Sequence, residues 1–116
     1  MSLCKKWRLN LAPINCRYSI FKRVRLIFDE EGRVTIFDTA NITGGTYSIS
    51  GDSITINYRM WTCSGAMWGK EEMYDEAAAA DKFIQSLIEN PFKYELKDDI
   101  LIIFYDNQEY QFEEIN

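Results

Sequence analysis

Histidine is absent from all 116 residues, and that absence removes more chemistry than any other feature of the chain. Ser-His and Cys-His nucleophile pairs, histidine zinc sites and the commonest general base all need an imidazole. Cysteine is scarce too. Cys4, Cys16 and Cys63 lie too far apart for a C-x-x-C pair, which excludes a zinc knuckle or a thioredoxin-type motif. The sequence leaves open a disulfide between two of them, although Cys63, among bulky apolar neighbours, is expected to be a free, partly buried thiol. No apolar run approaches the ~20 residues that span a bilayer, and no hydrophobic signal region opens the chain. No D-x-D-x-D-G loop and no glycine-rich phosphate cradle occurs, so neither a metal nor a cofactor is expected.

Positive charge is the minority sign, with 13 Lys or Arg against 18 Asp or Glu and a net charge of −5. Such a balance argues against nonspecific nucleic-acid binding, which needs a cationic footprint. The charge is unevenly spread. Lys5, Lys6, Arg8, Arg17, Lys22, Arg23 and Arg25 face only Asp29 and Glu30 within residues 1–30, so one end or face is expected to be basic. Paired carboxylates at Glu71-Glu72, Asp98-Asp99 and Glu113-Glu114 read as an exposed helix start, a turn and a tail. Solvated surface explains them better than acid–base work.

What is plentiful is aromatic residues, 15% of the chain, which suits a β-rich core filled by large rings. At 116 residues the chain is read as a single domain, 1–116. Val24, Leu26 and Phe28 alternate with Arg23, Arg25 and Ile27, and after Glu30-Glu31-Gly32 the run Val34 to Phe37 predicts the second arm of a hairpin. Asn41 to Gly45 reads as a loose link. Tyr47 and Ile49, then Ile54, Ile56 and Tyr58, flank Gly51-Asp52, a two-residue turn whose glycine accepts positive φ. Trp7 to Leu11 reads as an opening strand, and Phe92 to Leu96, Ile100 to Tyr105 and Tyr110 to Phe112 as three closing ones.

One helix stands between the strand blocks. The spacing predicts it over Glu71 to Glu89, with acidic residues in its opening turns where the macrodipole favours them. Met73, Ala77, Ala80, Ile84, Leu87 and Ile88 form its apolar stripe, and Pro91 ends it. At ~1.5 Å per residue the helix spans about 28 Å, enough to cross the open side of a small curved sheet.

Two places carry chemistry that the fold pattern does not absorb. The connection from Met60 to Trp68 holds Met60, Trp61, Cys63, Met67 and Trp68, more apolar than a solvated loop should be. Either it plugs one end of the barrel, or Met60, Trp61, Met67 and Trp68 form a contact surface for an acyl chain or a partner's apolar segment. Cys4 is the second place. Were Met1-Ser2-Leu3 not part of the mature chain, Cys4 would lead it, as lipid-bearing cysteines lead bacterial lipoproteins; the alternative is an ordinary thiol.

Several motifs then converge. Asn41, Gly45 and Tyr47, the G-D-x-I-T-I run Gly51 to Ile56, Thr62-Cys63, Glu76 with Phe83 and Leu87, and Tyr94-x-Leu96 followed by Leu101-x-Ile103 resemble the META/HslJ-like domain. Ala40 stands where that family carries a first cysteine, which leaves Cys63 without the family's partner thiol. The resemblance implies a cracked, antiparallel, barrel-like sheet of seven or eight strands, mainly β within the α+β class, with one long helix inserted after the fifth strand. It also implies a non-enzymatic protein of the bacterial envelope, periplasmic or lipid-anchored, binding a protein partner or lipophilic ligand. A native N-terminus would instead imply the cytoplasm, and a monomer is expected in either case. A lipocalin-like small-molecule carrier and a purely structural accessory domain are the alternatives: an opening Trp and a G-x-Y-x-I-x-G-D run also mark small calycin barrels.

Overall fold

Alternation at a period of two produces eight antiparallel strands: β1 (Lys6–Leu11), β2 (Arg25–Phe28), β3 (Arg33–Phe37), β4 (Ile42–Ser50), β5 (Ser53–Trp61), β6 (Phe92–Lys97), β7 (Ile100–Tyr105) and β8 (Gln108–Ile115). Among the described residues a single α-helix, α1 (Glu71–Glu89), follows β5, and a 3-10 turn, Ile20–Arg23, precedes β2. The computed structural model describes residues 2–14, 18–61 and 71–115, without the side chains of 58–61. Each strand pairs with the next in sequence and β8 returns to β1, so the sheet closes as an up-and-down barrel. The expected α+β class, strand number and helix position all hold.

Tight turns set the register at one end, here called the lower. Gly32 (φ 80°) and Gly51 (φ 62°) take the left-handed region that glycine enters without steric cost. At the opposite, upper end, β7 and β8 are joined by Asp106 (φ 52°) and Asn107 (φ 60°), the two positive values that a type I′ hairpin needs. Asp and Asn tolerate that region better than other residues with a Cβ.

Two sequence expectations change. The segment from Ile42 to Gly45 is strand, not loose link, because it pairs residue by residue with β3, from Phe37↔Ile42 to Val34↔Gly45. Its two glycines mark a bulge against β5, where Gly44 faces Met60 and Gly45 already faces Tyr58. Glu113 and Glu114 likewise lie within β8 rather than in a tail, opposite Arg8 and Trp7 of β1.

The barrel is closed but cracked. Of the nine residues of β5, only Ser53 and Ile54 pair with β6. Helix α1 lies against β5 and against the 3-10 turn, and it covers the upper end. Phe83 stacks face to face on Tyr110 of β8, with ring centroids 3.8 Å apart and planes 1° from parallel, and touches Phe112 and Tyr105. Ala77, Ala80, Ile84, Leu87 and Ile88 are buried as the stripe predicts, Met73 only partly so, and Phe83 and Glu76 join the buried face.

An eight-stranded barrel is just wide enough for side chains to fill. Here they do. Leu9, Leu26, Ile54, Leu101 and Ile103 expose no surface at all, and Trp7, Ile36 and Phe112 expose 1% each, which leaves no ligand-sized void beside them. Leu3 folds in ahead of β1 and joins the same core. Because Leu87 is 1% exposed within this core, Leu87→Ala should destabilise the fold by roughly 2–5 kcal/mol, the usual range for emptying a leucine site. Coincident denaturant midpoints for the two proteins would show that α1 does not carry the packing described.

Candidate binding groove

Of the four contact residues proposed from sequence, Met60 and Trp61 belong by backbone to the end of β5, where they face Gly44 and Thr43 of β4. The strand thus runs further than the alternation indicated. Met67 and Trp68 lie outside the described residues, as do Cys16 and Cys63.

Cys4 sits at the lower end, half-buried, with its thiol free. Its Sγ lies 3.3 Å from the Asp29 carbonyl and 3.3 Å from the Tyr47 hydroxyl, which itself donates to that carbonyl at 2.7 Å. Burial, together with the bond to Cys4, pushes the Tyr47 phenol well above its ordinary range. The Tyr47 ring meets Phe28 edge to face at 4.9 Å, so the cluster is also a packing joint. Leu3 bears on the lipid-attachment reading: its side chain is in the core and its carbonyl accepts the Trp7 indole N–H at 3.0 Å. A chain led by Cys4 would lose both contacts.

A larger depression is elsewhere, beside the C-terminal end of α1. It measures about 580 Å³ and is walled by Pro91, Phe92, Phe104 and Tyr105, with Lys93 and Glu109 at its rim. A second, of about 430 Å³, lies between Ile14, Ala79, Lys82 and Tyr110. Both are bounded by Tyr105 and Asp106, so the two adjoin along α1, from its N-terminal half to Asn90, and the pair is called the α1 groove. Its walls are aromatic or aliphatic, whereas its rim carries both charge signs. Burial, helped by the Tyr105 and Asp106 charges, raises the Tyr110 phenol and keeps it neutral and able to donate. Sequence reasoning missed this groove because its residues come from three separated segments, none of which is unusual alone.

Polar ties fix the helix that forms one wall. Glu76, 3% exposed, accepts the Tyr18 backbone N–H on both carboxylate oxygens, at 3.0 and 3.2 Å. Asp81 accepts the Thr39 N–H at 3.1 Å and the Thr39 hydroxyl at 3.0 Å. Asp38 caps the same 38–41 turn by accepting the Ala40 N–H at 2.8 Å. Glu76 and Asp81 anchor neighbouring backbone to the helix, and Asp38 shapes the turn that Asp81 holds. Glu113 and Glu114 form exposed ion pairs with Arg8 and Lys5, the kind worth a fraction of a kcal/mol to about 1. Among the described residues, no three Asp, Glu or Cys side chains come together as a metal site.

An eight-stranded meander closed by pairing its first and last strands is the strand plan of the small up-and-down barrels, a group that includes the lipocalins. No protein family matches the chain as a sequence, and no curated protein does. Among solved structures, a DUF4847 family protein from Bacteroides vulgatus shares the fold at a TM-score of 0.65 and 13% identity, over 95% of this chain and 92% of that one. A protein from Burkholderia xenovorans aligns at a TM-score of 0.62 and 10% identity, over 97% and 82%. An uncharacterized protein from Bacteroides eggerthii does so at 0.58 and 18%, over 98% and 100%. At these identities the likeness is one of fold alone.

The tie between α1 and the 38–41 turn has a pH signature. Burial pushes the Asp81 carboxyl above its ordinary 3.8, the Asp38 charge adds to the rise, and the Thr39 bonds oppose it. A carboxyl raised in the folded state contributes stability that is present below its unfolded pKa and is lost as pH rises through the folded value. Wild type should therefore lose stability relative to Asp81→Asn as the pH climbs from below 3.8 toward neutrality. Parallel stability–pH curves for the two proteins would refute this.

Proposed function

We propose that this chain is a non-enzymatic binding domain of META/HslJ-like type from the bacterial envelope, and that it takes an extended segment of a protein partner in the groove along α1. The observation that carries the reading is the contrast between a filled interior and an apolar-walled surface groove. An acyl chain needs an enclosed apolar volume, and the described inward side chains leave none beside them. An open groove with aromatic walls and charges of both signs at its rim suits a peptide, whose side chains enter the pockets while its backbone stays wet. Phe104 and Tyr105 would supply the anchors, since rigid rings bury much area at little entropic cost. The apolar composition of Met60, Trp61, Met67 and Trp68 supports a further contact. That part of the reading rests on sequence alone.

A lipocalin-like carrier is the second reading, favoured by the meander strand order and opposed by the packed interior. One experiment separates the two. Peptides selected on the immobilised protein from a random displayed library should carry an aromatic or aliphatic anchor and bind Phe104→Ala at least ~10-fold more weakly, about 1.4 kcal/mol. Ile49→Ala, at the exposed β4–β5 tip, serves as the remote control and should bind normally. Equal affinity for wild type and Phe104→Ala would remove the groove from consideration. Decanoate that shifts the methyl resonances of Leu26, Ile54 and Leu101 would instead sustain the carrier.

A further inference from the structure

The basic excess of residues 1–30 becomes a structural feature because β1 and β2 are neighbours. Arg8 and Arg25 stand directly opposite one another across the β1–β2 ladder, both exposed. Like charges placed so are destabilising, and sheets normally avoid them or compensate each member. Arg8 is compensated by its ion pair with Glu113 on β8. Arg25 is not compensated among the described residues: its guanidinium has no ion-pair partner there and lies instead 5.5 Å from the centroid of Phe37, its partner on β3. Stacking on a ring holds the guanidinium plane while leaving its outward N–H groups available.

Around Arg25 the surface is concave. A depression of about 420 Å³ is bounded by Arg23, Arg25, Phe37, Asn41 and Ile42, and the exposed Lys22 adjoins it in sequence. The one carboxylate of the rim, Asp38, is 8% exposed and has an oxygen turned to the backbone N–H groups of Ala40 and Asn41. Cations at a concave site on an otherwise acidic molecule focus the field and draw anions toward that spot. Two guanidinium groups match the oxygens of a phosphate, which takes several N–H donors at once.

From this geometry we infer that the Arg23/Arg25 depression is a binding site for a phosphate group carried beside an apolar body, with Phe37 and the exposed Ile42 receiving that body. The phosphate belongs to a small phosphomonoester or to the head of an anionic lipid. This site shares no lining residue with the α1 groove, although its Thr39 is tied to α1 through Asp81.

The test uses the intact chain, amide NMR and three probes: glycerol phosphate, vesicles containing phosphatidylglycerol, and vesicles of phosphatidylcholine alone. Glycerol phosphate should shift the Arg25, Phe37 and Ile42 amides in a saturable manner at low salt. Arg25→Gln should weaken that binding about 10-fold without lowering Tm, since it removes one member of a like-charge pair. Raising the salt roughly tenfold should weaken binding further. Saturation by glycerol phosphate without vesicle binding assigns the small molecule; binding to phosphatidylglycerol but not phosphatidylcholine vesicles, lost in Arg25→Gln, assigns the lipid. No shift with either anionic probe, an equal response in Arg25→Gln, or preference for a polyglutamate peptide over phosphate would overturn the inference.

Discussion

Everything in this molecule depends on how the seam between β5 and β6 is sealed. A closed barrel owes its stability to having no edge, yet here the ladder at that seam is two residue pairs long, Ser53↔Lys93 and Ile54↔Phe92. Unassisted, residues 55–61 of β5 would present a strand edge to solvent. Helix α1 lies against that strand, and its buried face gives the core the side chains that a longer seam would have supplied. Phe83 is central, since it reaches Tyr105 and Tyr110 at the upper end and Phe112 deeper in β8.

Sealing the seam with a helix has consequences at the surface. A rod laid across a barrel end cannot match its curvature, and the mismatch leaves a groove along the rod. The two depressions meeting at Tyr105 and Asp106 are that groove. The helix must also be held in place while its outer face stays wet, which explains buried acids in an otherwise apolar interface. Glu76 and Asp81 accept backbone N–H groups from the 3-10 approach and the 38–41 turn, groups that the helix would otherwise bury unpaired.

Much of this was legible in the sequence because the two periods are clean. Strand alternation placed the hairpins, and the stripe from Ala77 to Ile88 gave α1 its buried face while the acidic opening turns and Pro91 gave its limits, because spacing alone records which face is buried. The failures have physical causes. Glycine in Ile42 to Gly45 reads as loop from propensity, whereas pairing on both sides makes it strand and absorbs the irregularity as a bulge. Glu76 counted only among the acids of the opening turns, because composition cannot tell that the Tyr18 amide comes down onto it. The grooves were invisible for a related reason: concavity is a property of where segments meet.

The core also bears on which binding chemistry the fold can support. An eight-stranded barrel can trade interior side chains for a ligand, and small carriers do so with short residues along alternating positions. This chain places Trp7, Phe28, Phe112 and Tyr110 inward and brings Phe83 down from the helix, so the space a ligand would take is occupied by rings. Emptying it would cost several kcal/mol per ring, comparable to the whole stability of a small domain. Among the described residues, the concave spaces therefore lie on the outer surface and not within the barrel. Two of the surface concavities differ in kind, one walled by rings beside α1 and one bounded by Arg25 where it lies over Phe37, and neither draws on the core for its lining.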